Sequence, residues 1–122
     1  MSERLRAVRG AVSVPKDDRE ALVGAVSRLM DALAEANGFG PDDLVSLQFT
    51  QTSDLRSANA AGALREGRPA YGAAPLFCAQ EPEFEGSLPR TVRVLATWYG
   101  AAGGKPVYLG EARRLRPDLA GD

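Results

Sequence analysis

The stretch from Thr91 to Tyr99 restricts the fold of this chain more than any other segment. One set of alternating positions is apolar, with Val92, Val94, Ala96 and Trp98. The other set is mixed, with Thr91, Arg93, Leu95, Thr97 and Tyr99. Because successive side chains of a strand point to opposite faces, this pattern predicts a strand with one buried and one semi-polar face.

Four further strands are indicated elsewhere in the chain. One covers residues 4–14 and ends before Pro15, and a second covers 45–50, where apolar and polar residues alternate. A short apolar run at 74–80 and a last segment at about 106–111 complete the set.

Two helices are predicted between these strands. Asp17, with Glu20 three residues later, has the spacing of a capping box at the start of the first helix. Asn37-Gly38 ends that helix, and a shorter alanine-rich helix runs from about Asn59 to Glu66, with Asn59 as its cap. The apolar stripe of the first helix consists of Leu22, Val26, Leu29, Met30 and Leu33. The order βαβαβββ predicts an α/β fold, a mixed sheet with helices on one side, and 122 residues suit a single domain spanning 1–122.

Two arginines lie inside predicted strands. Arg9 shares a face with Leu5, Ala7 and Ala11, and Arg93 lies on the semi-polar face of its strand. A guanidinium there needs solvent or a partner, so an exposed face, a structural ion pair and an anion-binding cleft are all open readings. The chain has thirteen arginines and two lysines, and the planar arginine fork suits carboxylates, although base composition also explains the bias.

Three other residues are candidates for a site. Glu81 follows the apolar run LFCAQ at a strand end, where loops often carry function, yet it also reads as a solvated loop carboxylate. Cys78 alone is typical of a small buried hydrophobe, and Tyr108 of a packing residue with a wet hydroxyl.

Composition excludes several classes of function. The chain has no histidine, which excludes Ser-His-Asp and Cys-His hydrolases and removes the commonest zinc ligand. A net charge of −1 gives no attraction to nucleic acid or an anionic membrane. No apolar run suggests a signal peptide or a membrane span, and a single cysteine fits a reducing cytoplasm.

Seven short motifs follow one another along nearly the whole chain. They are VRGAVSV at 8–14, TSDL at 52–55, ALREG at 63–67, CAQE at 78–81, GSLPRTVRVL at 86–95, VYL at 107–109 and LRPDL at 115–119. As an ordered set they are specific, and by them the chain resembles the AroH-type monofunctional chorismate mutases. The resemblance implies a homotrimer, built as a pseudo-α/β-barrel with active sites between subunits, and chorismate as substrate. It implies no cofactor and no metal.

The resemblance also implies roles for individual residues. Arg9 would hold a substrate carboxylate, with Tyr108 assisting at the same end. Arg93 would reach the ether oxygen whose bond breaks, and also a carboxylate. Glu81 would accept a hydrogen bond from the ring hydroxyl, near Cys78.

Further implied contacts come from the edges of the site. Arg65 would close the cleft from the neighbouring subunit, and Leu115 and Arg116 would belong to its mobile C-terminal edge, with a mobile tail after about residue 116. Asn59 stands where the family usually places a bulky apolar residue, so we expect it to contact substrate. The loop at 100–106 is shorter than usual for the family.

The implied chemistry suits a chain without histidine. The conversion of chorismate to prephenate is a unimolecular Claisen rearrangement, which requires neither proton transfer nor a covalent intermediate. Two alternatives stay open at this point. The first, motivated by Asn59 and the short loop, is a mutase of a chorismate relative such as 4-amino-4-deoxychorismate. The second is a non-catalytic trimer that binds a dicarboxylate.

Overall fold

A five-stranded mixed sheet with helices on one face forms the framework of the protein in the computed structural model, which describes residues 3–118. The strands are β1 (Arg4–Ser13), β2 (Leu44–Gln51), β3 (Leu76–Gln80), β4 (Thr91–Gly100) and β5 (Val107–Leu109). The helices are α1 (Arg19–Asn37) and α2 (Ala60–Gly67), with 3-10 turns at Pro41–Asp43, Pro69–Ala73 and Gly110–Leu115. The predicted fold class is therefore confirmed. No helix within residues 3–118 is long and apolar enough to span a bilayer.

The strand order is β3-β2-β4-β1-β5. The central strand β4 runs antiparallel to both β1 and β2, whereas β1 pairs with β5, and β2 with β3, in parallel. One row across the sheet contains Ala79, Thr50, Arg93, Ala11 and Tyr108 in register. Side chains far apart in the sequence are thereby placed side by side on the face of the sheet that has no helices, which we call the open face.

The core lies between the opposite face of the sheet and the two helices. The predicted apolar face of β4 is buried, and Trp98 is fully inaccessible, with its ring centroid 4.8 Å from that of Phe39. The α1 stripe is buried against the same face. Gly10 of β1 is closely packed here, because a Cβ at this position would lie 3.0 Å from a Leu33 methyl and 3.2 Å from the Val107 carbonyl oxygen.

The predicted cap of α1 is wrong by one residue. Asp18, not Asp17, is the N-cap, and its carboxylate accepts a hydrogen bond from the Ala21 amide at 2.7 Å. The carboxylate of Asp17 instead accepts from the backbone amides of Ser57 and Arg56, which lowers its pKa. The three-residue spacing to Glu20 predicted the wrong one of two consecutive aspartates. It could not show that the Asp17 carboxylate binds the backbone of Ser57, 40 residues away.

The C-terminal strand is shorter than predicted. It ends at Leu109, and Gly110, with φ of 62°, turns the chain into the 3-10 segment Gly110–Leu115. The hydroxyl of Ser13 accepts a hydrogen bond from the Glu111 amide at 2.8 Å, which holds the turn against the end of β1. Of the tail predicted to be mobile, residues 119–122 lie outside the described residues.

Candidate active site

A cleft of about 430 Å³ lies on the open face, above β1, β4 and β5. It is lined by five of the residues singled out in the sequence, namely Arg9, Arg93, Tyr108, Leu115 and Arg116. Between Arg93 and Tyr108 in the sheet register stands Ala11, whose methyl group leaves room above the strands. The cleft therefore depends on a small residue between two long ones.

The cleft carries an excess of positive charge. Within residues 3–118 Arg9 forms no salt bridge, so its guanidinium is available to an anion. Arg116 hydrogen-bonds both carboxylate oxygens of Asp118, at 3.1 and 2.9 Å, and this raises the pKa of Arg116. Arg93 is partly neutralised by Glu81. The arrangement suits a ligand that carries carboxylates.

Glu81 does not line this cleft but adjoins it through Arg93, and it lines a neighbouring depression of about 410 Å³. Its Oε2 is 3.1 Å from Nη1 of Arg93, and the two side chains are 15% and 33% exposed. The Glu81 backbone amide donates to the Gln51 carbonyl at 2.8 Å, and its Oε1 accepts from the hydroxyl of Thr50. Glu81 is thus a largely buried acceptor beside the central arginine and not a solvated loop carboxylate.

Cys78 and Asn59 lie elsewhere, in a second depression of about 700 Å³ beside β3. The Cys78 sulfur is 3.3 Å from Oε1 of Gln51, whose amide nitrogen donates to the carbonyls of Leu55 and Ala58. Asn59 caps α2, as predicted, by accepting from the Gly62 amide at 2.8 Å. Within one chain this depression is separate from the arginine cleft.

Arg65 lines neither cavity. It is exposed near the end of α2, with its aliphatic carbons beside Gly72. The single chain therefore brings together Arg9, Arg93 and Tyr108, with Glu81 adjoining, but it does not bring Arg65 to them.

Sequence reasoning missed three polar residues of β2. Gln48 and Thr50 line the arginine cleft, and Gln51 joins Cys78 to the loop before α2. The alternation of β2 does place Gln48 and Thr50 on the polar face. Alternation does not predict the strand register, which places Thr50 opposite Arg93. Residues 3–118 contain no cluster of three or more cysteine, aspartate or glutamate residues that could hold a metal ion.

Fold and site together define an α/β protein with an arginine-lined cleft on the open face of its sheet. The sequence model of the chorismate mutase type I family matches residues 5–119. This chain belongs to the chorismate mutase type I family.

Named relatives span nearly the same length. The chain is 42% identical to the chorismate mutase AroH of Thermus thermophilus, over 94% of this chain and 96% of the relative. It is 31% identical to the chorismate mutase AroH of Bacillus subtilis, over 95% and 93% respectively. The solved structure of a chorismate mutase from Clostridium thermocellum superposes with a TM-score of 0.83 at 32% identity, covering 89% of this chain and 98% of that one.

Proposed function

We propose that this protein is a chorismate mutase that converts chorismate to prephenate in the shikimate pathway. The observation that carries the proposal is the single cleft holding Arg9, Arg93 and Tyr108, with Glu81 paired to Arg93. Arginines in one cleft match a substrate with two carboxylates.

The mechanism needs positioning and charge, not acid–base chemistry. Holding chorismate in its compact conformer brings the two reacting carbons together, so binding offsets the cost of reaching the reactive conformation. As the ether bond breaks, negative charge grows on the ether oxygen, and a fixed cation beside that oxygen stabilises the transition state. Neither step requires histidine, which the chain lacks.

We assign the residues as follows. Arg9 binds one carboxylate with help from Tyr108, and Arg93 reaches the ether oxygen. The Glu81 carboxylate offers about four lone pairs, so contacts with Thr50 and Arg93 leave capacity for the ring hydroxyl of chorismate. Leu115 and Arg116 cover the cleft from its C-terminal edge.

We propose further that the active form is a homotrimer, with Arg65, Cys78 and Asn59 completing sites across subunit boundaries. Two observations support this. Arg65 and the Cys78 depression lie apart from the arginine cleft in one chain. Apolar side chains are also exposed on the strands, with Leu5 57%, Phe77 62% and Tyr99 53% accessible. Closed assembly would bury them.

Mixing two inactive variants tests the assembly. If each site takes Arg93 from one subunit and Arg65 from its neighbour, refolded 1:1 mixtures of Arg65→Ala and Arg93→Ala regain about one quarter of intact sites by random closed assembly. The same variants mixed without refolding serve as the control. A fully active monomer by light scattering, or a refolded mixture no more active than its components, contradicts the trimeric site.

The loss of chorismate absorbance in the ultraviolet tests the activity itself. Absence of turnover by the intact protein, with binding of prephenate retained, would leave a non-catalytic dicarboxylate binder as the function.

Asn59 favours a second candidate substrate, the 4-amino-4-deoxy analogue, because it puts an amide where the family has an apolar wall. A kcat/KM higher for the analogue than for chorismate would establish that candidate. We propose that residues 1–122 act as one domain in the cytoplasm.

A further inference from the structure

One hydroxyl group on the open face touches the central ion pair of the site. Thr50 lies in β2, in register with Arg93 of β4 on one side and Ala79 of β3 on the other. Its hydroxyl donates to Oε1 of Glu81, and the other carboxylate oxygen of Glu81 is 3.1 Å from Nη1 of Arg93. Thr50 itself lines the arginine cleft.

The backbone position of Glu81 is fixed, but it does not determine the direction in which the carboxylate points. Its amide is anchored to Gln51 at 2.8 Å, at the point where β3 ends. Three side-chain torsions beyond that anchor allow the carboxylate to turn toward Arg93 with one oxygen or with both. By donating to Oε1, the hydroxyl of Thr50 holds the carboxylate in the orientation in which Oε2 is the oxygen that meets the guanidinium.

The orientation of the Glu81 carboxylate determines how many N–H donors of Arg93 are available to the substrate. A guanidinium has five N–H donors in a rigid fork, and a carboxylate that meets it side-on takes two of them. A single contact through Nη1 leaves more donors, and the direction of the fork, for a ligand in the cleft. Glu81 is only 15% exposed, so water competes weakly for its oxygens.

We propose that Thr50 is a positioning residue for the mutase reaction, which holds Glu81 so that Arg93 keeps its productive orientation. The proposal rests on the roles given above to Glu81 and Arg93. It assigns Thr50 no contact with the reacting atoms.

Thr50→Val tests the proposal, because valine keeps the shape and β-propensity of threonine and removes only the donor. We expect kcat to fall about ten- to hundredfold with KM nearly unchanged, as for a small misplacement of a group that acts in the transition state. Thr50→Ser should restore kcat to within a few-fold. Thr50→Ala, which removes the same hydroxyl and adds nothing, is the second variant should valine impair folding.

The matched control is Thr97→Val. Thr97 lies on the same face of β4, opposite Ser46 and Ala7, and takes no part in the hydrogen bonds of Glu81. This control should retain wild-type kcat. In a Glu81→Ala background, Thr50→Val should cause no further loss, since its effect passes through the carboxylate.

The possible outcomes separate the two proposals. If the kcat of Glu81→Ala is low while Thr50→Val and Thr50→Ala keep wild-type kcat, the role of Thr50 is overturned and the mutase function stays intact. Three other results overturn it as well: a loss of kcat in Thr50→Val that is equal in the wild-type and Glu81→Ala backgrounds, an effect on KM alone, or a loss that Thr50→Ser does not restore. If the intact protein does not turn over chorismate, both proposals fail.

Discussion

Replacement of Arg93 is the most decisive perturbation of this site. Its side chain leaves the central strand on the open face, away from the buried Val92 and Val94, so its loss does not disturb the core. Glu81 accepts a hydrogen bond from Thr50 that does not involve Arg93, so we expect this bond to remain in the variants. The folded structure should therefore survive, and the change in rate then reports the chemistry.

The expected magnitude follows from the electrostatics of the cleft. Two unit charges 4 Å apart interact by about 4 kcal/mol at an effective dielectric of about 20, a value suited to a partly exposed group. Arg93 is 33% exposed, and the ether oxygen gains less than a full charge, so this figure is an upper bound. Loss of one such donor typically costs about 2.7–4 kcal/mol, or about a hundred- to a thousandfold in rate.

Two substitutions separate charge from shape. Arg93→Lys keeps the charge, but a point-like ammonium is drawn to Glu81 and has no second arm for the substrate, so we expect kcat to fall severely. Citrulline at position 93 keeps the planar shape and some donors but removes the charge. It should still bind chorismate and lose most of kcat.

The assay is steady-state loss of chorismate absorbance, with circular dichroism to confirm the fold of each variant. Since the proposed contact strengthens in the transition state, kcat should fall more than KM rises. Normal turnover by the citrulline variant would refute charge stabilisation by Arg93.

Three further expectations are accessible to simple measurements. Cys78→Ser should keep substantial activity with no covalent adduct by mass spectrometry, because the reaction needs no nucleophile; a folded but inactive variant contradicts this. Gly10→Ala should destabilise the fold by about 1–3 kcal/mol in urea unfolding, because its Cβ would crowd a Leu33 methyl at 3.0 Å; unchanged stability contradicts it. The hydrogen bond from Arg68 lowers the pKa of Asp31, so this pair stabilises the protein above about pH 4 and less as pH falls through the lowered pKa. Asp31→Asn should flatten that acid dependence, and an identical pH profile would count against it.

The sequence alone was sufficient for the elements whose burial repeats with a regular period. Alternation predicted β4 and the apolar stripe predicted α1, because each residue's exposure in these elements follows from local geometry. The Asn37-Gly38 pair predicted where α1 ends. The order of elements then predicted a sheet covered on one side. The resemblance carried by the ordered motifs named the family, which the family match confirms.

Local reasoning was wrong where a distant contact decides the structure. Asp18 caps α1 because the loop at Arg56 and Ser57 occupies Asp17. The last strand stops at Leu109 because Gly110 turns the chain onto the end of β1. Neither contact leaves a periodic trace in the sequence.

The neighbours of each site residue were decided only by the tertiary structure. Alternation states which face of the sheet Thr50 and Arg93 share, but many registers satisfy that pattern. The order of strands and the pairing of β2 with β4 select one of them, and the chain returns 31 residues later to set Glu81 against both. Side-chain period is a property of one strand, whereas register depends on how all the strands pack on one core.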